Sequence, residues 1–305
     1  MLSHAHSDSV CELCFDCSTA LTWLHCNMSS TTTEPPAPAK GTAAKVLRAG
    51  IIGGMGPDAT IEFYQRVIKK TRQMASAPLD QDHALATIDM SCNIPSRQDA
   101  ILEGTLKDLC GQRLCESAAR LRASGCDFAV CVCNSAHHFQ ADIVRGLQHI
   151  PFLSIIDLTV HKIATDERQQ NQSEASTVAV FAASGCAAAG LYQNALKKKG
   201  IEPFVPNEKN QAACMEAIYL AKAGRVGEGR ALFEKALDDV IERAKCRSVI
   251  LGCTELPLLV DITDPPKKYQ RIKFYDTVDI LATAVVSVCK NLVPLESILP
   301  HSCDS

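Results

Sequence analysis

Short apolar runs alternate with longer amphipathic stretches along most of this chain, and the same order of elements occurs twice. Strands are predicted over residues 46–52, 84–90, 127–132, 151–157, 177–182, 201–205 and 248–251. Helices are predicted from Pro57 to 68, over 101–124, 158–164, 191–199, 211–245 with a break near Gly224, and 277–292. Strands that alternate with helices favour parallel sheets.

The repeated order predicts an α/β protein of two pseudo-symmetric domains, each a mostly parallel sheet flanked by helices. We place the first domain at residues 46–157 and the second at 158–276. The polar stretch 165–176 is predicted to be a surface connection that leads into the second half of the chain. Parallel sheets place their chemistry at the carboxyl ends of strands. The active site is therefore expected in the cleft between the domains.

Both ends of the chain differ from this pattern. Residues 29–44 are rich in Pro and Thr and poor in large apolar side chains, as is typical of a linker, so residues 1–45 are predicted to be a disordered, non-catalytic extension. Residues 293–305 are expected to be a tail. The extension carries a metal-like group of cysteines and histidines, but it lacks the second spaced pair of a zinc finger. Its members are Cys11, Cys14, Cys17, Cys26, His4, His6 and His25.

Charge and cysteine content narrow the classes of function. The 305 residues include 31 basic and 34 acidic side chains, a net charge of −3, which provides no one-signed field for nucleic acid or an anionic membrane. No apolar stretch reaches the roughly 20 residues that span a bilayer. Sixteen irregularly spaced cysteines in a chain of this size indicate a reducing compartment. We expect a cytoplasmic protein with a small-molecule partner.

Two cysteines stand at the ends of predicted strands, each followed by polar side chains. Cys133 precedes Asn134 and Ser135, and Cys253 precedes Thr254. A single cysteine at such a position more often packs in the core. Two such sites half a chain apart, each with donors able to hold a carboxylate, favour a matched acid and base.

These two segments and the stretch Gly53-Gly54-Met55-Gly56-Pro57 resemble the cofactor-independent aspartate/glutamate racemase family, over roughly residues 48 to 292. The resemblance implies racemisation of an acidic amino acid, with aspartate expected more than glutamate. Cys133 and Cys253 would each act as base in one direction and acid in the other, without pyridoxal phosphate or metal. It also implies a homodimer and a last helix, 277–292, that returns to the first domain.

Further site residues carry over from the family's segments. The substrate-binding candidates are Met55, Gly56, Pro95, Ser96, Arg97, Asn134, Ser135, Ala136, Lys222 and Thr254. Arg97 is the expected clamp on a carboxylate through its planar fork. Three positions depart from the family: Ser96 stands where Asp is usual, and Ala183 and Cys186 stand where threonines are common.

Several candidates have a purely structural interpretation as well. Lys222 is equally well read as a solvated helix residue, and His137 as a satisfied histidine at a helix start rather than a group that tunes Cys133. Glu255 either orients the second thiol or caps a helix. Asp276 and Thr277 are interpreted as a helix N-cap.

Other functions remain open at this level. The same kind of intermediate would serve an isomerase or decarboxylase of a related dicarboxylate. The departures at Ala183 and Cys186 allow a catalytically silent dicarboxylate-binding protein. A zinc-dependent interaction protein built on the N-terminal extension is the third alternative. One methylene is worth only about 1 to 3 kcal/mol in a pocket, so the sequence does not separate aspartate from glutamate.

Overall fold

The computed structural model describes residues 45–74, 79–169 and 177–299. Within them lie eight strands: β1 Arg48–Gly53, β2 Leu85–Met90, β3 Phe128–Cys131, β4 Phe152–Leu153, β5 Thr177–Ala182, β6 Glu202–Phe204, β7 Ser248–Gly252 and β8 Lys273–Asp276. The helices are α1 Pro57–Met74, α2 Arg97–Leu102, α3 Lys107–Ala123, α4 Gln140–Leu147, α5 Ile155–Gln169, α6 Ser184–Ala188, α7 Leu191–Lys198, α8 Glu208–Lys222, α9 Val226–Ala244 and α10 Thr277–Cys289. The predictions for residues 1–44 and 300–305 lie outside the described residues.

The strands form two four-stranded sheets with the same topology. Their orders are β2-β1-β3-β4 and β6-β5-β7-β8, and all neighbouring strands run parallel. Helices cover the sheets, as parallel sheets require for strands that are apolar on both faces. The predicted class, two α/β halves with parallel sheets, is confirmed. The proposed boundaries at residues 157 and 276 stay predictions.

The strands β3 and β7 occupy equivalent positions in the two sheets. Each pairs with the central strand β1 or β5, and each is almost entirely buried. One of the two candidate cysteines follows each strand. Carboxyl ends of parallel strands meet at one edge of a sheet, so this placement brings each thiol to the edge where ligands bind.

Several predicted elements differ in their extent. The helix predicted over 158–164 is α5, Ile155–Gln169, so residues 165–169 of the predicted polar connection are helical, and residues 170–176 lie outside the described residues. The helix expected over residues 101–124 is divided into α2 and α3, because Gly104 (φ +71°) and Leu106 (φ +55°) adopt left-handed backbone that interrupts it. The strand expected over 151–157 is only β4. Ser154 ends it, since its Oγ accepts a hydrogen bond from the backbone N–H of Asp157 and begins α5.

The last helix, α10, packs against α1 from the first half of the chain and against α5. Asp276 caps it, since its Oδ1 accepts from the backbone N–H groups of Val278 and Asp279. The same carboxylate pairs with Arg66 on α1. Asp276 therefore ties the second sheet, whose last strand it ends, to a helix of the first half. The strand β8 was absent from the predictions.

No helix of the described segments is both long enough and apolar enough to cross a membrane.

Candidate active site

A cavity of about 180 Å³ lies at the carboxyl ends of β1, β3, β5 and β7, where the two sheets face each other. Both candidate cysteines line it, and so do most of the predicted binding residues. The lining residues are Met55, Ser96, Arg97, Gln98, Cys133, Asn134, Ser135, Ala183, Met215, Ile218, Tyr219, Lys222, Gly252, Cys253, Thr254 and Glu255.

Three predicted binding residues do not line the cavity. The Gly56 carbonyl accepts hydrogen bonds from Thr60 at the start of α1. Ala136 is fully buried in the core of the first half. Pro95 lies one step back, where its carbonyl accepts a 2.9 Å hydrogen bond from Arg97. Pro95 thus binds Arg97 and does not itself line the cavity.

Cys133 ends the first of the two strand-loop units. Its side chain is 9% exposed, and the chain continues from it into a single turn of 3₁₀ helix, Ser135–Phe139. Cys133 lines the cavity, and its neighbours Val132 and Asn134 are buried. The cavity is therefore a route by which a small ligand meets this thiol.

His137 holds the Cys133 loop and is not a free base. Its Nε2 accepts a hydrogen bond from the backbone N–H of Ile155 (3.2 Å), so the ring proton lies on Nδ1 and is donated to the Cys133 carbonyl (3.0 Å). Burial lowers the pKa of His137 to about 4. The geometry of His137 therefore agrees with the interpretation of a hydrogen-bonded, structural histidine.

The lowered pKa of His137 predicts a pH-dependent loss of stability. The unfolded chain takes up this proton near pH 6.5 and the folded chain only near about pH 4, so the stability that His137 contributes is present above 6.5 and lost as pH falls. We expect about 2 kcal/mol of this loss between pH 7 and pH 5. Urea unfolding at both pH values should show a smaller loss for His137→Gln than for the native chain. The exposed His149→Gln is the control, and an equal loss in both variants would contradict the assignment.

Cys253 belongs to a compact group of charged and polar side chains. Its thiol donates to Glu255 Oε2 at 2.9 Å, and the Thr254 hydroxyl donates to the same oxygen at 2.9 Å. Lys222 pairs with the other carboxylate oxygen, Nζ to Oε1, at 3.0 Å. Glu255 is thus the centre of the group and holds the thiol, the hydroxyl and the ammonium together.

The pKa values of this group follow from burial and from these contacts. Burial and then the Glu255 charge raise the pKa of Cys253 well above that of an ordinary thiol. Burial opposes the charge of Glu255, yet the Lys222 charge and the hydrogen bonds from Cys253, Lys222 and Thr254 hold the pKa of that carboxyl below its usual value. Burial also opposes the charge of Lys222, and Glu255 outweighs it and raises the pKa. At neutral pH the group is a thiol beside a carboxylate–ammonium pair.

Arg97 stands at the first turn of α2, which Ser96 caps by accepting from the backbone N–H of Asp99. Its guanidinium donates to the backbone carbonyls of Met55 (3.0 Å), Pro95 and Ile94. Its Nε–H is buried and has no partner among the residues that the structure describes. Backbone carbonyls thus support the guanidinium where the usual aspartate is missing at position 96, and Arg97 lines the cavity.

One face of α8 forms an apolar wall of the cavity. Met215, Ile218, Tyr219 and Lys222 recur at the i, i+3, i+4, i+7 spacing of a single helix face. Only Lys222 was predicted. The spacing was the signal that could have predicted the other three, because residues three and four positions before a lysine on a helix lie on the same face as the lysine. Gln98 and Gly252 were missed as well. Of the two interpretations given for Glu255, its contact with the Cys253 thiol agrees with the one in which it orients that thiol.

The two departures from the family's threonines have different outcomes. Ala183 lines the cavity, whereas Cys186 is 1% exposed and lies in the core. Burial raises the pKa of Cys186, as it does for Cys131 beside the first catalytic candidate. These buried thiols stay protonated and do not reach the cavity lining.

Comparison with known proteins gives a consistent result. The family model described as Asp/Glu/hydantoin racemase matches residues 52–285. A broad specificity amino-acid racemase of Bacillus subtilis is 25% identical over 212 residues, which cover 70% of this chain and 87% of that protein. The structure of the Picrophilus torridus aspartate racemase aligns with a TM-score of 0.63 at 25% identity, over 80% of this chain and 94% of that one. An aspartate racemase homologue from Pyrococcus horikoshii shares the fold at a TM-score of 0.62 and 21% identity, covering 79% and 98%.

Proposed function

The chain belongs to the Asp/Glu/hydantoin racemase family. On that premise we propose that it interconverts the enantiomers of an acidic amino acid, with aspartate preferred over glutamate. Cys133 and Cys253 would transfer the α-proton, and the reaction would need neither pyridoxal phosphate nor metal. The observation that carries the proposal is that both thiols line one small cavity together with Arg97 and Lys222.

The geometry suits a reaction with a base on one side and an acid on the other. Cys133 follows a strand of one sheet and Cys253 the equivalent strand of the other, so a ligand between them meets one thiol from each half. Inversion of an α-carbon requires proton removal from one face and proton delivery to the opposite face. Buried polar residues of the lining, such as Asn134 and Ser135, would strengthen the contacts that stabilise the intermediate's negative charge.

Each group has a definite part in one direction of the reaction. Cys133 as thiolate takes the α-proton and becomes a thiol, while Cys253 gives its proton to the opposite face and becomes a thiolate. The raised pKa of Cys253 keeps it protonated before the transfer, as an acid must be. The nearby Lys222 ammonium then offsets the charge of the new thiolate. The reverse direction uses the same groups in exchanged roles.

Binding of the substrate would rest on the cavity's donors. The Arg97 guanidinium and the Lys222 ammonium supply positive charge for carboxylates, and Ser135 and Thr254 supply hydroxyls. The small volume and the 25% identical aspartate racemase of Picrophilus torridus both support the shorter amino acid. The apolar wall of Met215, Ile218 and Tyr219 would cover the methylene of the side chain.

The test of the proposal is α-proton exchange in deuterated water. Purified protein is given L-aspartate, D-aspartate, L-glutamate and D-glutamate separately, without added cofactor, and NMR and chiral chromatography follow deuterium entry and inversion. We expect deuterium entry with inversion for both enantiomers of aspartate and slower reaction with glutamate. Tight binding of aspartate without exchange would support a silent binding protein, and faster turnover of glutamate would reassign the substrate.

A further inference from the structure

Tyr192 and Thr277 lie beneath the cavity and contact a residue that lines it. The fully buried Tyr192 on α7 donates from its hydroxyl to Asn134 Oδ1 at 2.5 Å. Thr277, the first residue of α10, meets Asn134 Nδ2 at 3.4 Å and donates from its own hydroxyl to the Leu251 carbonyl at 3.1 Å. Asn134 directly follows Cys133, and Leu251 lies two residues before Cys253. The four residues therefore form a buried relay between the two thiol loops.

The chemistry of the relay determines which way the Asn134 amide points. A carbonyl oxygen only accepts, so the single hydroxyl hydrogen of Thr277 goes to Leu251. Thr277 must then accept from Asn134, which directs the amide nitrogen to Thr277 and the amide oxygen to Tyr192. One amide hydrogen of Asn134 remains, and the hydrogen bonds of the described residues do not use it.

We propose that Tyr192 and Thr277 are positioning residues that hold the Asn134 amide so that its N–H, and not its carbonyl oxygen, meets a carboxylate bound beside Cys133. The inference rests on the proposed function, because it takes the ligand to be an acidic amino acid. A reversed amide would lose a hydrogen bond to a charged group and set an oxygen against the carboxylate. The relay thus makes this side of the cavity selective for anions.

A pair of thiol reagents tests the orientation whether or not the protein racemises anything. Iodoacetate carries a carboxylate and iodoacetamide is its neutral analogue, and both alkylate the same thiol. The ratio of their rates at Cys133, read from the peptide by mass spectrometry, reports how well an anion is received there. Changes in the ionisation of Cys133 affect both reagents alike and cancel in the ratio.

Tyr192→Phe and Thr277→Val each remove one constraint on the amide, and we expect either to lower the iodoacetate to iodoacetamide ratio about tenfold. Thr277→Ser retains the hydroxyl and should stay within about twofold of the native ratio. Two matched controls remove a buried hydroxyl elsewhere. They are Tyr269→Phe, which loses a bond to Asp238, and Thr71→Val, which loses a bond to Val67.

The outcomes separate the relay from the reaction. The proposal is overturned if Tyr192→Phe and Thr277→Val show the same ratio as the controls. It is also overturned if both reagents alkylate Cys133 more slowly by the same factor, or if Thr277→Ser does not keep the native ratio. In the racemisation assay the same variants should raise KM for aspartate more than they lower kcat. A native protein that turns over neither acid contradicts the proposed function, while the reagent ratio still decides the role of the relay.

Discussion

Replacement of either Cys133 or Cys253 by alanine is expected to lower racemisation of aspartate at least about a thousandfold, since each variant loses one positioned proton-transfer group. The remaining thiol still faces one side of the substrate. In Cys253→Ala, Cys133 can remove the α-proton, exchange it with solvent and return a deuteron to the same face. Each variant should therefore retain slow deuterium exchange without inversion, and the two variants should act on opposite enantiomers.

NMR detection of the α-position with chiral analysis of the product measures both effects. Cys92→Ala is the matched control, because Cys92 is exposed and outside the cavity lining, and its activity should equal that of the native protein. Inversion at the native rate in either cysteine variant would refute the two-thiol mechanism. Exchange of the same enantiomer in both variants would show that the thiols do not lie on opposite faces.

The pairing of the two thiols could be predicted because the signal for it is local. An apolar run followed by a cysteine and a hydroxyl or amide marks a strand end, and this arrangement occurs at Cys133 in the first half and at Cys253 in the second. Parallel topology then brings the ends of β3 and β7 to the sheet edges that face the cavity. The class of fold and the centre of the site thus follow from periodicity and short motifs.

The groups that act on these thiols through other residues could not be predicted in the same way. Tyr192 is 58 positions from Asn134 and Thr277 is 143, and their meeting depends on how α7 and α10 pack beneath the site. Thr277 carries an N-cap pattern that a purely structural interpretation explains fully, so no local feature distinguishes its second role. Contacts of this kind exist only in the folded chain.

Turn geometry accounts for most of the errors in the helices and strands. The split between α2 and α3 depends on left-handed backbone at Gly104, a residue that favours this conformation, and at Leu106, which has no sequence preference for it. Gly104 was therefore a local signal, whereas Leu106 was not. The strand β8 has four residues and lies between a 3₁₀ turn and a helix cap, which leaves too short a run for a period-2 pattern to be recognised.

Glu255→Gln is expected to activate Cys253 as a nucleophile, the opposite of what loss of an ordinary active-site residue does. The carboxylate that accepts from the thiol at 2.9 Å raises the pKa of Cys253, second only to burial, and the variant removes that charge. It also leaves Lys222 without its partner, and the unpaired ammonium favours the thiolate further. The pKa of Cys253 should fall toward that of an ordinary thiol.

The rate of Cys253 alkylation by iodoacetamide at pH 7, read from its peptide, is expected to rise about tenfold, because removal of a charge this close is worth about 1.4 kcal/mol or more. The kcat of racemisation should fall in the direction that uses Cys253 as the acid, since a more readily ionised thiol is protonated less often. The control is Glu228→Gln, which breaks an exposed ion pair with Arg225 outside the cavity lining and should change neither rate. Unchanged alkylation of Cys253 in Glu255→Gln would mean that burial alone keeps the thiol protonated. Faster alkylation together with slower racemisation would instead show that Glu255 keeps Cys253 protonated until the proton is transferred to the substrate.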